Sequence, residues 1–433
     1  MALVPLTPEN RVNFRHLYAD VFWFGVLAGS TLAFLAVYAA RLGATGFQIS
    51  LLTAGPAVVN LLLSLPAGRW LEHRPLVRTT YRAALLHRLG YLALALLPPL
   101  VSPELEVWVV VGAIALMSVP GTLLAIGFNA LYADAVPPDW RGEVVGKRNA
   151  LMAVSLTTTA LLSGQLLDRI VFPLNYQIVF LIGALGALLS TYHVGQVRTA
   201  SHPPPARAGH PVHDQARPGM WRFRDSIPRD AIPRGLGLRF LTRPSGRPLL
   251  RLELLRTSFG PFMAAYLLFY ACQYLPLPVV PLFFVNELNL TDGAISLGSG
   301  LFHMVMLLVS LRASHLSARY GHYRLLVLGA LSFGLYPLLV GLAQDATLFW
   351  IASLAGGGIW AVTNAGLVNR LMERVPEENR PAYMALHNLA LNLGILAGSL
   401  SGPYLAGVIG LREAVLVAAG LRFAAGIVLM IWG

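Results

Sequence analysis

Twelve stretches of about 20 apolar residues, each long enough to cross a lipid hydrocarbon core, follow one another along the chain. Their approximate limits are 17–40, 47–67, 83–101, 107–132, 146–167, 173–194, 260–285, 293–312, 324–342, 347–369, 386–409 and 414–433. Each predicts a membrane-spanning helix. Met1 to Asn10 is polar and the first apolar run is of full length, so the pattern of a cleaved leader is missing and the first span is expected to stay in the protein.

Between the runs, one loop recurs. Val136-Pro137-Pro138-Asp139-Trp140-Arg141-Gly142 returns as Val375-Pro376-Glu377-Glu378-Asn379-Arg380-Pro381. Asp134 answers to Glu373 and Asn149 to Asn388, each pair 239 residues apart. The repeat divides the chain into a first half, 1–194, and a second, 259–433, joined by residues 195–258. That joining segment holds twelve arginines, four acids and nine prolines. His202-Pro203-Pro204-Pro205 within it cannot continue a helix. Farther along, Trp221, Phe223, Ile227 and Phe240 alternate with arginines, a pattern suited either to a segment lying on anionic headgroups or to a disordered tether.

Composition agrees with a lipid surround. Of 433 residues, 56% are apolar and 12% charged, about half the charge fraction of a soluble domain, and the mean hydropathy is +0.63. The net charge of +12 comes from 32 basic residues, all arginine but Lys147. With the N-terminus and the even-numbered loops in the cytoplasm, 28 of the 32 fall on that side, which is the positive-inside pattern. The charge therefore reads as a topology signal, and nucleic acid is excluded as a partner. A single cysteine, Cys272, rules out an internal disulfide and a Cys-based metal cluster. There is no phosphate-cradling loop, no metal-ligand spacing within a span and no serine-centred nucleophile motif, so neither an enzyme nor a cofactor is expected.

Twelve spans in a six-plus-six division with a long basic central loop resemble the major facilitator superfamily. The loop between spans 2 and 3 adds a weaker likeness. The family motif there runs Gly-x-x-x-Asp-Arg-x-Gly-Arg-Arg, and here the stretch is Gly68-Arg69-Trp70-Leu71-Glu72-His73-Arg74-Pro75. Gly68 matches, Glu72 replaces the aspartate, and Arg74 keeps a charge nearby. The second copy, Ser314 to Gly321, lacks the acid. The resemblance implies an all-α polytopic protein of two pseudo-symmetric six-helix bundles, with the solute site between them. It also implies a cytoplasmic gate at these loops. Gly68, Glu72 and Arg74 are its candidates, a glycine turn followed by a carboxylate near a helix N-terminus. Asp134, Arg141, Glu373 and Arg380 in the repeated loops are candidates for gate ion pairs.

Polar and aromatic residues well inside spans are the candidates for a cavity. They are Tyr270, Gln273 and Tyr274 in span 7, ahead of Pro276, Pro278 and Pro281; His303 in span 8; Trp360, Thr363 and Asn364 in span 10; and Asn388 and Asn392 in span 11. Gly394, Gly398, Gly402 and Gly407 form a ladder expected to let helices pack closely. Ionisable groups within spans carry functional weight. Asp20, His303 and Arg422 are the coupling candidates, and Asp20 is read first as an ion pair with Arg15. The expectation is a monomeric secondary transporter in the cell membrane, moving a small, partly apolar, uncharged or weakly charged organic solute, efflux favoured over uptake, with a coupling proton or ion. A non-transporting assembly partner and a lipid flippase are the alternatives.

Overall fold

The computed structural model describes residues 6–72, 74–98, 100–199, 251–376 and 380–433, and almost all of them are helical. Twelve long helices run alternately up and down. They are α1 (Pro8–Arg41), α2 (Gly46–Glu72), α3 (Leu76–Leu96), α4 (Pro103–Ala135), α5 (Arg141–Arg169), α6 (Leu174–Gly195), α7 (Phe259–Glu287), α8 (Asp292–Ser310), α9 (His322–Leu342), α10 (Ala346–Arg374), α11 (Arg380–Ile409) and α12 (Leu411–Trp432). Eleven are long and apolar enough to cross a membrane. The other, α3, is interrupted by Arg78, Arg82 and Arg88, yet packs lengthwise on α4 and α6. Its helix begins seven residues before the predicted limit because those arginines depress the hydropathy of a segment that is helical all the same.

The chain punctuates these helices with local chemistry. Thr7 caps α1, its hydroxyl accepting the Asn10 N–H at 3.2 Å, with Pro8 in the first turn, where a missing N–H costs nothing. Thr291 caps α8 in the same manner and Asp345 caps α10. A short helix, Ala313–Tyr320, links α8 to α9 and stops at Gly321, whose φ of +79° suits glycine. In α1 and α7 the regular helix gives way to one π turn, at Ala28–Leu32 and Phe283–Glu287.

The odd loops and the even loops define two faces. The near face carries the start of α1 and the end of α12; the far face carries the α1–α2, α5–α6, α7–α8 and α11–α12 turns. Helices α1–α6 pack among themselves, as do α7–α12, and the two sets meet chiefly along α5 with α8 and α2 with α11. Small residues permit the close contacts. A Cβ on Gly164 of α5 would strike the Ser296 side chain of α8, and one on Gly46 of α2 would lie 2.8 Å from Pro403 Cβ of α11.

The glycine ladder of α11 does the same within the second half. Gly394, Gly398 and Gly402 lie on the α7 backbone between Leu267 and Leu275, whereas Gly407 faces open space. Gly398→Ala would drive a methyl into the Ala271 carbonyl. It is expected to lower stability by about 1–3 kcal/mol, seen as a drop in the thermal unfolding midpoint in detergent, while Gly407→Ala leaves the midpoint unchanged.

Among the described residues, four apolar clusters make up the core. Two lie toward the near face and each belongs to one half: Phe14, Leu17, Leu131 and Val144 in the first, Phe262, Tyr266, Leu367 and Leu371 in the second. A third, around Phe34, Tyr91 and Phe180, is also confined to the first half. The fourth joins the halves. It sets Val37, Ala40, Ile49 and Val107 against Val279, Leu282, Phe283 and Val285, all near the far face.

Candidate functional site

At the far face this shared apolar seal is overlain by polar contacts between the halves. Arg41, at the end of α1, donates to the Leu290 carbonyl at 2.5 Å and pairs with Asp292 Oδ1 at 3.2 Å. Asp168, near the end of α5, accepts the Gly293 N–H at 3.0 Å. Both Leu290 and Gly293 flank the start of α8, so a carboxylate from the first half sits where the second half exposes unpaired helix N–H groups. The Arg41 side chain is 26% exposed and Asp292 9%, so water screens the pair only in part.

Below the seal, residues of α7, α8, α10 and α11 form a wall of aromatic and amide groups. Tyr270 bonds His387 of α11, hydroxyl to Nε2, at 2.9 Å. Trp360 packs against Phe333, the rings tilted by 35° with centroids 5.6 Å apart. Asn364 lies one turn beyond Trp360 on the same face of α10 and is exposed. His303 is half-buried, its Nδ1 on the Ser299 carbonyl of its own helix at 2.8 Å. Tyr274 and Gln273 are half-buried, and the Gln273 Oε1 is a sealed acceptor without a partner among the described residues.

Four other sequence candidates stand differently. Thr363 is fully buried, bonds the Ile359 carbonyl of its own helix at 2.7 Å, and packs against Gly329 of α9. Asn392 is buried and donates to the Asn388 carbonyl at 2.8 Å, again within one helix. Asn388 itself is exposed. Arg422 is buried and donates to the carbonyls of Cys272 at 3.2 Å and Gln273 at 2.6 Å, its guanidinium lying 4.6 Å from the Phe333 ring centroid. The cause is Pro276: lacking an N–H, it leaves the Cys272 carbonyl without its helical donor, and Arg422 supplies one. Arg422 thereby holds the bend of α7 from behind the wall.

In the first half Asp20 is 3% exposed, and its partners differ from the expected Arg15, which is exposed. Arg148 of α5 approaches Asp20 Oδ2 at 3.3 Å, Arg88 of α3 lies 3.9 Å from Oδ1, and the Ser190 hydroxyl of α6 donates to Oδ1 at 2.5 Å. Arg88 also donates to Ser190 Oγ at 2.6 Å, and the Arg148 guanidinium stands 5.0 Å from the Phe128 ring of α4. One carboxylate thus ties together α1, α3, α5 and α6. Arg88 and Arg148, counted from sequence among the loop charges, are interior. Both fall inside predicted spans, and that position was the available signal.

Gly68 is helical, because α2 continues to Glu72 instead of turning at the glycine. Arg74 is exposed, with its guanidinium over the Trp70 ring at 5.1 Å. Arg141 donates to the Ala133 carbonyl at 2.9 Å and the Val136 carbonyl at 3.2 Å, closing the end of α4. Asp134 is exposed. Glu373 pairs with Arg370 at 3.0 Å and lies 3.9 Å from His322. The side chains of Glu72 and Arg380, and residues 200–250 and 377–379, lie outside the described residues.

The family model of the Major Facilitator Superfamily matches residues 21–270 and again 262–433. The chain belongs to the major facilitator superfamily. It is accordingly a multi-pass membrane transporter. Among curated proteins, Multidrug resistance protein 1 of Bacillus subtilis (strain 168) is 27% identical over 134 residues, covering 31% of this chain and 34% of that protein's length. Among solved structures, the nucleoside transporter NupG superposes with a TM-score of 0.64 at 13% identity, over 97% of this chain and 98% of the other. The human organic anion transporter MFSD10 gives 0.59 at 15% identity over 98% and 100%. A POT family transporter in complex with a thioalcohol-conjugated peptide gives 0.66 at 15% identity over 96% and 95%. At these identities the structural likeness speaks for the fold. In this architecture the solute site lies between the halves.

Proposed function

We propose that the protein is a secondary active transporter of a small organic solute, working by alternating access, with its N-terminus in the cytoplasm and efflux favoured over uptake. The observation that carries the reading is the far-face seal. It is the core cluster among the described residues that draws on both halves, while the near-face clusters stay separate. A closed far side over parted near-side bundles is one end state of a rocking transporter. The wall beneath supports a planar, partly apolar solute: aromatic faces at Tyr270, Tyr274 and Trp360, amides at Gln273 and Asn364, and no carboxylate among them. Efflux draws on the likeness to the multidrug resistance protein, and the cytoplasmic N-terminus on the arginine distribution.

A thermal-shift panel of nucleosides, dipeptides, organic anions and lipophilic cations selects a solute, since binding to the folded state raises its midpoint. Proteoliposome flux of that solute then tests the site. Trp360→Ala is expected to cut flux at least about tenfold, removing a large aromatic contact worth roughly 1.4 kcal/mol or more. Unchanged flux in Trp360→Ala and Asn364→Ala would remove this wall from the transport path.

A further inference from the structure

The outer face of α3 changes character along its length. Leu86, Leu89 and Leu96 are exposed, and on the same side of the helix, at its near-face end, stand Arg78 and Arg82, also exposed. The other sides of α3 are taken. Thr80 and Gly90 meet Gly127 and Met117 of α4, while Tyr81 and Arg88 meet Gly195 and Ser190 of α6. The remaining stripe faces lipid: leucines over most of its length, then two arginines.

The three arginines of α3 are not alike. Arg88 is buried against Ser190 and Asp20. Arg78 and Arg82 are one turn apart, and among the described residues neither is in an ion pair. Other exposed cations nearby are provided for: Lys147 has Glu143 at 2.6 Å, and Arg74 lies over the Trp70 ring. Like charges at a spacing of four repel. An arginine on a lipid-facing surface is costly unless its head reaches the interface. Arg82 lies six residues past the start of α3, about 9 Å along the axis, so its counter-charge has to come from the headgroup layer. The seam beside the pair is open. The Tyr81 ring passes 2.7 Å from where a Cβ on Gly195 would stand. Tyr192, three residues earlier on α6, is exposed, and exposed Leu185 and Leu189 continue that helix inward. Tyrosines favour headgroup level. From the near face inward, the seam thus presents guanidinium, then phenol, then leucine.

We propose that the near-face end of the α3–α6 seam binds one anionic phospholipid, its phosphate held by Arg78 and Arg82 and its chains lying along the leucines of the two helices. Guanidinium forks match phosphate oxygens in pairs. A free phosphate would satisfy the arginines and leave the leucine stripe unused, so the occupant is a lipid. The second half supplies a contrast. Its third helix, α9, carries a single arginine, Arg324, above exposed Leu328 and Leu335, one cation where α3 has two. The lipid site stands whatever the solute and the direction of its transport.

The test is native mass spectrometry of the delipidated full chain in detergent, titrated with dioleoyl phosphatidylglycerol or with phosphatidylcholine of the same chains. The unaltered protein is expected to retain one phosphatidylglycerol at least about tenfold more tightly than phosphatidylcholine, less so as ionic strength rises. Arg78→Gln with Arg82→Gln should abolish the preference. Arg78→Lys with Arg82→Lys should keep most of it, since the charges survive and only the forks are lost. Arg324→Gln should leave it unchanged. Both α3 positions are exposed, so the double glutamine variant should unfold at the parent's midpoint in lipid-free detergent. If it fails to fold, the single variants carry the test, each losing roughly threefold. Equal retention of the two lipids by the unaltered protein, or an undiminished preference in the glutamine variants, overturns the proposal. So does displacement of the lipid by inorganic phosphate at a comparable concentration, which would mean that the anion alone is recognised.

Discussion

Arg41→Ala is expected to unlatch the far face. The side chain joins the halves through the Asp292 carboxylate and the Leu290 carbonyl, and charged hydrogen bonds at a partly buried interface are worth about 1.5–3 kcal/mol. Losing them changes the closed-to-open ratio by roughly 10- to 150-fold. The readout is maleimide labelling of a cysteine at Ile49, a residue 2% exposed within the seal, in a Cys272→Ser background. Labelling should accelerate by the same factor. Asp292→Asn should act in the same direction, and exchanging the charges, Arg41→Asp with Asp292→Arg, should recover part of the closure but not the bond to Leu290. Lys147→Ala, which removes an exposed ion pair with Glu143, should have no effect, because such pairs contribute little.

The second large effect is on stability. Asp20→Ala leaves Arg88 and Arg148 facing each other in the interior of the first half. Removing one partner of a buried ionic cluster costs about 3–5 kcal/mol, since the remaining charges stay buried without compensation. Asp20→Ala should therefore unfold at distinctly lower temperature in detergent, or fail to accumulate. Arg15→Ala, at an exposed position, should stay within about 0.5 kcal/mol of the parent. Adding Arg148→Met to Asp20→Ala should restore part of the loss by removing the surplus charge, which separates a charge effect from a cavity effect. Equal stability of the Asp20 and Arg15 variants would remove the hub from the account.

How far the sequence reaches depends on whether a feature is local. Apolar run length and helix length obey the same membrane thickness, so the twelve runs anticipate the twelve helices within a few residues at most ends. At α3 the hydropathy of a helix carrying Arg78, Arg82 and Arg88 understates its reach. The spacing of Gly394, Gly398 and Gly402 is local too, and those residues do meet α7. Partners are another matter. Asp20 meets arginines 68 and 128 residues away, and Arg41 meets an aspartate 251 residues away. No periodicity in one sequence couples such positions. Glu106 falls one residue before a predicted span, where a carboxylate reads as a loop charge, yet it is buried and accepts the Tyr38 hydroxyl. The Pro276 bend of α7 was visible, but not that Arg422 would reach across to satisfy it.

The central claim is that the halves rock about the shared wall. The most direct measurement is paired single-molecule energy transfer in nanodiscs, with fluorophores at Val145 and Leu311 on the near face or at Val171 and Gln344 on the far face. All four positions are exposed. Introducing Arg41→Ala is expected to lengthen the far-face distance and shorten the near-face distance together. Distances that stay fixed at both faces, or that lengthen at both, would contradict alternating access in this protein.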